Sequence, residues 1–361
     1  MSSMDQSKDR EFSIEYPAGE QMLDRISAIF AKNGNEKSAE HLRWQYLENI
    51  GGGAYSAFAV SGSGEDAAVY SLFKVRAKLN GEEVVACQSL DTLTDKDFRG
   101  KGLFSLVAKD VNRRCDDEGV ALIYGFPNDK SGPGFFKHLQ WRQAGYPPFL
   151  VHVNNIGYLT KAAGLPSFRL PALIPALSIR IANAARGRRG GYRTVGGSEF
   201  LSTSAYDDLW ALFSADIHNT IVRDSRFLKW RYLDRPGADY RFVGVYRRDV
   251  LCAIAVFVLR EKHGGRIGYV MDVVYKPDEP SAGKLAVGRA IEVLVGEKAD
   301  IVLAWSSGSS KTRGAYRGNW FFPLPRRLQP IKLFVGTRFG PAYSHGMDNE
   351  MFLSYADSDT V

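Results

Sequence analysis

Apolar residues in the first 150 positions follow helical and strand spacing in turn. Apolar side chains recur every three or four positions across residues 21–32 and predict a helix there, and a second helix is predicted over 38–48. The glycine triplet at 51–53 ends that second helix. Period-two and continuous apolar runs predict strands at 11–16, 55–60, 67–75, 84–93 and 120–126.

The most informative stretch, residues 89–107, joins a strand to a helix through a glycine loop. Gly100 and Gly102 have no Cβ, so the backbone can turn sharply and approach a ligand closely. The free N–H groups at the start of the following helix favour an anion. Arg99 and Lys101 add positive charge beside those amides. The stretch therefore predicts a phosphate-binding loop, with a tight connection between strand and helix as the alternative that the glycine pair by itself leaves open.

The second half of the chain repeats parts of the first. Residues 227–234 (F-L-K-W-R-Y-L-D) match residues 41–48 (H-L-R-W-Q-Y-L-E) at an offset of 186, and residues 269–274 match 88–93 at an offset of 181. Two matches in the same order predict a duplicated domain over about residues 195–345. The second match is followed by Y-K-P-D-E-P, so we expect that copy to have lost its phosphate loop.

Length and composition favour a two-domain cytoplasmic protein. The chain has 361 residues, 45% of them hydrophobic, but no uncharged apolar run of the roughly 18 residues that a membrane-spanning helix needs. Its polar start lacks the apolar core of a signal peptide. Cys87, Cys115 and Cys252 are widely spaced and the histidines are scattered, so we expect buried free cysteines and no metal.

Positive charge is concentrated in two segments. Residues 130–198 contain ten Lys or Arg and no Asp or Glu, and residues 301–347 contain seven and again no acid. Such zones attract CoA phosphates, a nucleotide sugar or an anionic lipid surface, whereas no nucleic-acid-binding motif accompanies them. The basic helix predicted within 176–193 has two open interpretations. It packs between domains with its arginines in solvent, or it lies peripherally on the inner face of an anionic membrane.

The glycine loop carries a family resemblance. The sequence R-G-K-G-L-F at 99–104, after a strand ending L-D-T-L, resembles the acyl-CoA pyrophosphate loop of the GNAT superfamily of N-acyltransferases, [RQ]-x-x-G-x-[GA]. The resemblance continues through Y-G-F-P-N at 124–128 and G-F-F-K-H-L-Q-W at 134–141, and it covers about residues 10–150. Together these motifs look like a subgroup that includes Eis-like aminoglycoside-acetylating enzymes and proteins of polysaccharide gene clusters.

The resemblance implies a fold and a division of the chain. The fold is α/β, with mixed (α+β) sheets in two tandem GNAT-like domains, of which the second is degenerate. Residues 1–154 would form the catalytic acyl-CoA-binding domain, 155–194 a basic Pro/Arg-rich connector, and 195–361 the degenerate GNAT-like domain.

The resemblance also implies acetyl-CoA as co-substrate, without a metal. Backbone N–H groups around Leu93 and Thr94 would polarise the thioester, and Asn128 would hydrogen-bond the pantetheine amide. Phe136 stands where the family has a tyrosine, so the usual general acid is missing. Phe104 replaces a glycine or alanine. The expected cofactor-binding residues are Leu93, Thr94, Arg99, Gly100, Lys101, Gly102, Leu103, Phe104, Asn128 and Phe136.

Amine attack on a thioester needs a neutral amine. Asp91 is our choice of base, acting directly or through a water, although a purely structural strand carboxylate remains an alternative. Asp95, Asp97 and His138 are weaker candidates, the first two because they are expected to pair with the cations of the loop. In the family the first two helices border the acceptor site, and Tyr46 is therefore expected in the acceptor groove.

The sequence thus predicts an acetyl-CoA-dependent N-acetyltransferase acting on a primary amine of a small acceptor. We expect an amino sugar, nucleotide- or lipid-linked, in surface polysaccharide biosynthesis. Two rivals stay open. One is a non-catalytic acyl-CoA-binding or polysaccharide-assembly accessory protein, and the other is a Fem-like aminoacyl transferase.

Overall fold

The computed structural model describes residues 11–162, 164, 173–237, 239–262, 264–307 and 310–359. The helices are α1 (Gly19–Lys32), α2 (Ala39–Tyr46), α3 (Leu103–Asp117), α4 (Gly132–His138), α5 (Ile156–Ala162), α6 (Leu173–Gly190), α7 (Ala205–Ser214), α8 (Ser225–Leu228), α9 (Pro280–Gly296) and α10 (Arg313–Arg317). The strands are β1 (Phe12–Glu15), β2 (Ala54–Ser61), β3 (Asp66–Leu79), β4 (Glu82–Thr94), β5 (Leu122–Gly125), β6 (Arg142–Gly145), β7 (Phe149–Val153), β8 (Tyr192–Gly196), β9 (Thr220–Ile221), β10 (Arg241–Arg247), β11 (Val250–Lys262), β12 (Gly265–Tyr275), β13 (Ile301–Trp305), β14 (Phe322–Pro323) and β15 (Val335–Phe339).

The chain forms two compact units. Among the described residues, the first unit contains 11–146, 234–237 and 333–348, and the second contains most of 147–332 together with 349–359. Each unit has a mixed sheet with helices, which confirms the predicted α/β class.

The sheet of the first unit has the strand order β1-β2-β3-β4-β5-β15-β6. β1 to β4 form an antiparallel meander, and β4 runs parallel to β5. A parallel pair needs a crossover, and α3 supplies it. One face of α3 is buried against β2 and β3 through Leu103, Val107, Val111 and Cys115. The crossover brings the glycine loop to the end of the central strand pair.

The sheet of the second unit has the order β14-β7-β13-β12-β11-β10-β8. Here β12 and β13 are the parallel pair and α9 is the crossover between them. Each unit therefore contains a parallel strand pair whose two strands are joined through a crossover helix.

The predicted domain boundaries at residues 154 and 195 are wrong, because they assign two strands, β7 and β15, to the wrong unit and treat α6 as part of a separate connector. β7 pairs with β13 in the second sheet, and β15 pairs with β5 in the first. Helix α6 packs on α9, so this part of the connector belongs to the second unit. Residues 163 and 165–172 of the connector lie outside the described residues. Local repeats could not reveal these assignments, because each strand is placed by pairing with a partner that is remote in sequence.

The predicted state of the cysteines is confirmed. Cys87, Cys115 and Cys252 are free and buried, and burial raises the pKa of the Cys87 thiol well above its usual value. These thiols act as small apolar core groups. Within the described ranges, no helix combines the length and the apolar character needed to cross a membrane.

Candidate functional site

The glycine loop has the backbone that its sequence predicted. Gly100 and Gly102 adopt φ values of 81° and 76°, a left-handed conformation that glycine reaches without the Cβ penalty of other residues. Gly102 is the N-cap of the 15-residue helix α3, and no side chain caps that helix start. The first N–H groups of α3 have no partner within the helix, and this end carries its positive dipole. The start of α3 therefore has N–H groups and a positive dipole end with which an anion could interact.

The two cations of the loop differ. Lys101 Nζ contacts the Glu11 carboxylate and lies over the Phe12 ring, 5.2 Å from its centroid. Arg99 is exposed, and no hydrogen bond or ion pair ties it to another described residue. Arg99 is thus the cation of this loop that can turn toward a bound phosphate without breaking an existing ion pair.

Phe104 does not crowd the loop, because its side chain turns into the core. Its ring lies 5.1 Å from that of Phe135. A Cβ on Gly134 would come within 2.7 Å of the Phe104 ring, so a glycine at 134 makes room for this phenylalanine. Leu103 is also buried. The first unit accommodates the departure from the family pattern by packing.

Strands β4 and β5 separate just before the loop. Their pairing ends at Gln88 and Tyr124, while β4 continues to Thr94. In the same region, β4 has an irregularity against β3, because Leu90 and Asp91 both lie opposite Ser71. Bulges of this kind re-aim side chains and increase strand twist. The edge of β4 after Gln88 is consequently open toward β5.

The predicted oxyanion amides are not equivalent. The Asp95 N–H donates to the Ala67 carbonyl of the neighbouring strand β3. Amides two residues apart in a strand point the same way, so Leu93 also donates toward β3 and the Thr94 N–H points to the open edge. Of this pair, only Thr94 therefore has its amide directed toward the open edge.

Asp91 is held by two side chains. Lys37 Nζ donates to Oδ1 at 2.5 Å, and the Tyr46 hydroxyl donates to Oδ2 at 2.8 Å. Asp91 is 7% exposed and Tyr46 is 0% exposed. The expectation that Tyr46 lines the acceptor groove is therefore wrong in this structure. Its ring fills the core, and its hydroxyl positions Asp91.

A pocket of about 660 Å³ lies beside Lys37. Burial, together with the positive charges of Arg235 and Lys37, lowers the pKa of His41 to about 4. His41 is thus neutral at physiological pH and offers hydrogen bonds rather than charge. The pocket is lined by Phe30, Asn35, Glu36, Lys37, Ser38, His41, Thr92, Leu93 and Pro236.

Sequence reasoning did not assign Lys37 or His41 to the site. One signal was available. Lys37 immediately precedes Ser38, whose side chain caps α2 by accepting from the His41 N–H, so Lys37 lies in a loop, and loops carry a disproportionate share of binding residues.

Two predicted CoA contacts have structural partners. Asn128 Oδ1 accepts from the N–H groups of Lys130 (2.9 Å) and Ser131 (3.0 Å), so it shapes the turn before α4. The half-buried Phe136 ring lies 5.5 Å from that of Phe334. Gln140, which follows this helix, has a left-handed φ of 59°.

The weaker base candidates are not favoured by the structure. Asp95 is fully buried and pairs with Lys32 (3.0 Å), not with the loop cations as predicted. Although burial raises its pKa, hydrogen bonds from the Asp97 N–H and from Lys32 hold the value below its usual range. Asp97 also faces Lys32, at 3.8 Å, and His138 is exposed on α4.

The corresponding loop of the second unit is closed to an anion. Helix α9 begins at Pro280, and the Glu279 carboxylate before it accepts from Tyr192 and Arg247. The hydrogen bond from Tyr192 is the largest cause of the lowered pKa of Glu279. A Cβ on Gly283 would lie 2.5 Å from the Tyr275 ring, which fills the space beside this helix start. A phosphate at the start of α9 would be repelled by the Glu279 carboxylate.

Comparisons with known proteins identify the fold. No family model matches the sequence, and no curated protein does. Several solved structures match. A probable N-acyltransferase from Enterococcus faecalis superposes with a TM-score of 0.59 at 11% identity, covering 91% of this chain and 72% of that one. A GCN5-related N-acetyltransferase from Anabaena variabilis gives 0.61 at 10% identity, with the same coverages.

A third similar structure is the N-myristoyltransferase of Saccharomyces cerevisiae with bound myristoyl-CoA. It gives a TM-score of 0.58 at 12% identity and covers 92% of this chain and 84% of that one. At these identities the likeness concerns the fold. The chain therefore has the fold of the GNAT N-acyltransferases.

Proposed function

We propose that the protein is an acyl-CoA-dependent N-acyltransferase whose catalytic site lies in the first unit. The observation that carries this proposal is the left-handed Gly100–Gly102 loop at the start of α3, next to the open edge of β4. This arrangement offers amides to a pyrophosphate and a further amide to a thioester carbonyl. The fold shared with N-acyltransferases supports it.

In the proposed reaction the acceptor amine attacks the thioester carbon. An N–C bond forms, the C–S bond breaks, and the Thr94 N–H stabilises the negative charge that develops on the carbonyl oxygen. Phe136 has no hydroxyl to protonate the departing thiolate, so water supplies that proton. Only one such site per chain is proposed, because Glu279 occupies the corresponding helix start of the second unit.

Asp91 is the proposed acceptor of the amine proton. Its oxygens already accept from Lys37 and Tyr46. A carboxylate has about four lone-pair sites, so each oxygen can still accept another hydrogen bond, directly or through a water. Lys37 and Tyr46 would then fix its orientation while the proton moves.

The proposal is tested first by calorimetry with acetyl-CoA. We expect wild type to bind and Arg99→Ala to bind about tenfold or more weakly, because a charge-assisted contact to phosphate contributes roughly 1.5–3 kcal/mol. Lys101→Ala should weaken binding less, since Lys101 is already paired with Glu11. Absence of binding by wild type would contradict the proposal.

Replacing Asp91 by Asn should lower turnover about hundredfold while acetyl-CoA affinity stays unchanged. A positioned general base typically contributes 10²–10⁴ in rate. Thiol release with a panel of amino-sugar acceptors is the measurement. Asp97→Asn is the matched control, because Asp97 is near the loop but exposed. Full activity of Asp91→Asn would leave Asp91 a structural role only.

For the acceptor we favour a small primary amine, in particular an amino sugar linked to a nucleotide or lipid, and for the donor acetyl-CoA. The acid-free segments at 130–198 and 301–347 support a negatively charged carrier. Acetyl-CoA binding without thiol release toward any amine would instead favour an accessory binding protein. Transfer from an aminoacyl donor would favour the Fem-like alternative.

We further propose that the second unit contacts an anionic membrane through α6. Ile174, Leu177 and Ile181 lie at helical spacing on the outward face of α6 and are 77%, 60% and 62% exposed. Arg180, Arg188 and Arg189 are also exposed on this helix. Such an apolar stripe with flanking arginines fits a surface of anionic lipid. Arg186 does not take part, because its guanidinium donates to the Gly318 carbonyl at 2.9 Å.

Sedimentation with phosphatidylglycerol vesicles tests this contact. Replacing Arg180, Arg188 and Arg189 by Ser should weaken binding roughly hundredfold, at about 1 kcal/mol for each arginine near the surface. The matched control replaces the exposed Arg226, Lys229 and Arg248 of the same unit by Ser, with the same loss of charge. Equal binding by both triple variants would overturn the proposal, as would vesicle binding by the Arg180, Arg188 and Arg189 variant that is as tight as that of wild type.

A further inference from the structure

The second unit contains a fully buried arginine that holds a carboxylate of the chain's own C-terminal segment. Arg223 is 0% exposed and donates to Asp357 Oδ2 at 2.6 Å. It also faces Asp272 Oδ1 at 3.5 Å, and the ring of Phe352 lies 4.7 Å from its guanidinium. Arg223 therefore links the Asp272 carboxylate of β12 to the Asp357 carboxylate of the C-terminal segment.

The same arrangement, without that segment, is present in the first unit. Lys37 lies 186 positions before Arg223, the offset of the helix repeat, and Asp91 lies 181 positions before Asp272, the offset of the strand repeat. Lys37 is paired with Asp91 as Arg223 is paired with Asp272. Each cation thus occupies the same place in its own unit.

The helix that follows each cation also begins in the same way. The Ser38 side chain accepts from the N–H of the residue three positions on, and the Asp224 side chain does the same in the second unit. Two helix caps and two ion pairs at constant offsets show that the local geometry is repeated.

The two places differ in what covers them. In the second unit the segment 349–358 runs past Arg223, and its residues from Met351 to Ser358 are buried. In the first unit, Lys37 instead lines the 660 Å³ pocket, and none of the described segments fills that space. In the second unit the C-terminal segment 349–358 therefore occupies the place that is an open pocket in the first unit.

We propose that the pocket of the first unit binds acceptors that carry a carboxylate, with Lys37 as the partner of that carboxylate. This inference rests on the proposed function, because it names the substrate class of the same site. The Lys37 ammonium has three N–H donors, of which Asp91 Oδ1 takes one, and it lies over the Phe30 ring at 4.7 Å. Its side chain is 23% exposed, so a further carboxylate can reach it.

A ligand carboxylate on Lys37 would correspond to the Asp357 carboxylate of the C-terminal segment. The peptide contacts of that segment have no counterpart in the first unit. Asn219 accepts from the Phe352 N–H and donates to the Asn349 carbonyl. The corresponding residue of the first unit is Asn33, which donates to the Ile29 carbonyl and to Asp95. Asn33 is thus committed to its own unit, and the inferred ligand is a small carboxylate rather than a peptide strand.

The charges around the pocket agree with this assignment. Arg235 lies close enough to lower the pKa of His41, and His41 itself is neutral. Glu36 is the exposed carboxylate of the lining, while Asp91 is already bound to Lys37. A ligand with one amine and one carboxylate therefore finds the Glu36 carboxylate and the Lys37 ammonium in the lining of the same pocket, with Asp91 paired to Lys37.

The test compares two product-like probes without a free amine, N-acetylmuramic acid and N-acetylglucosamine. The first carries an ether-linked carboxyl group that the second lacks. Calorimetry should show about tenfold to hundredfold tighter binding of the acid, as one charge-assisted hydrogen bond implies. Lys37→Met should remove this preference, and Lys37→Arg, the residue of the second unit, should keep it. The acid should also slow modification of Lys37 by an amine-acylating reagent.

Three results would overturn the inference: no binding of either probe, equal binding of both, or a preference that survives in Lys37→Met. Acetyl-CoA affinity measured on the same variants separates this failure from failure of the proposed function. If acetyl-CoA binds normally while the acid shows no preference, only the assignment of Lys37 is lost. If acetyl-CoA does not bind wild type, the proposed function itself fails.

Discussion

Replacing Gly100 by Val should abolish most acyl-CoA binding, with a loss of about hundredfold or more. At a φ of 81° a β-branched side chain is strained, and nothing lies within 4 Å of the Cβ position that the valine would occupy. The new side chain would thus project into the open space beside the loop, where the proposed pyrophosphate approaches the amides of α3. Losing one or two charge-assisted hydrogen bonds of roughly 1.5–3 kcal/mol each accounts for the size of the effect.

The matched control is Gly64→Val. Gly64 has a φ of 84°, and again no atom lies within 4 Å of its missing Cβ, but it is in the turn between β2 and β3. Both variants should lose similar stability, about 1–2 kcal/mol in urea unfolding, because the backbone strain is the same. Calorimetry should show loss of acetyl-CoA affinity for Gly100→Val alone. Equal affinities in the two variants would mean that the loop does not hold the pyrophosphate.

Replacing Asp357 by Asn should lower the free energy of unfolding by about 3–5 kcal/mol. The Arg223–Asp357 pair is completely buried, and removal of the Asp357 charge leaves the guanidinium with Asp272 as its carboxylate partner and with the Phe352 carbonyl, each at 3.5 Å. The Ser354 N–H also donates to Asp357 Oδ2, so a hydrogen bond to the charged form is weakened as well. Urea unfolding of the full chain is the measurement.

Two other pairs provide a graded comparison. Asp249→Asn breaks the exposed Arg193–Asp249 pair and should cost less than 0.5 kcal/mol, about the size of other surface substitutions. Asp91→Asn frees Lys37, which is 23% exposed and can reach water, so we expect about 1 kcal/mol. If Asp357→Asn were no more costly than Asp249→Asn, the C-terminal segment would not be the integral occupant of the second site that we infer.

Several elements of the site could be predicted because their causes are local. The glycine loop, the start of α3 and the buried strand at 120–126 follow from residue type and spacing alone. Trp44 and Trp230, the tryptophans of the two repeated helix motifs, are each 4% exposed. Tyr46 and Tyr232, two positions after the tryptophans, are buried as well, and spacing could not show this because residues two apart lie on different sides of a helix.

Other features depended on contacts that sequence spacing does not encode. Tyr46 is directed away from the groove and onto Asp91. Lys37 belongs to the site because the loop before α2 contacts β4, where Asp91 lies. The two residues are 54 positions apart in sequence, so spacing does not predict their ion pair. Exposure of the apolar face of α6 likewise follows from the side that packs on α9, which periodicity alone does not specify.

The sequence by itself determined the class of fold, the glycine loop at 99–104 and the sequence repeat between the two halves, because each is fixed by the conformational limits of a few adjacent residues or by direct identity. The tertiary structure decided which unit receives β7 and β15, which amide faces the open edge of β4, and which copy of the repeated ion pair stays open. Those outcomes are set by hydrogen-bond pairing and burial between segments far apart in the chain, and only folding brings such segments together.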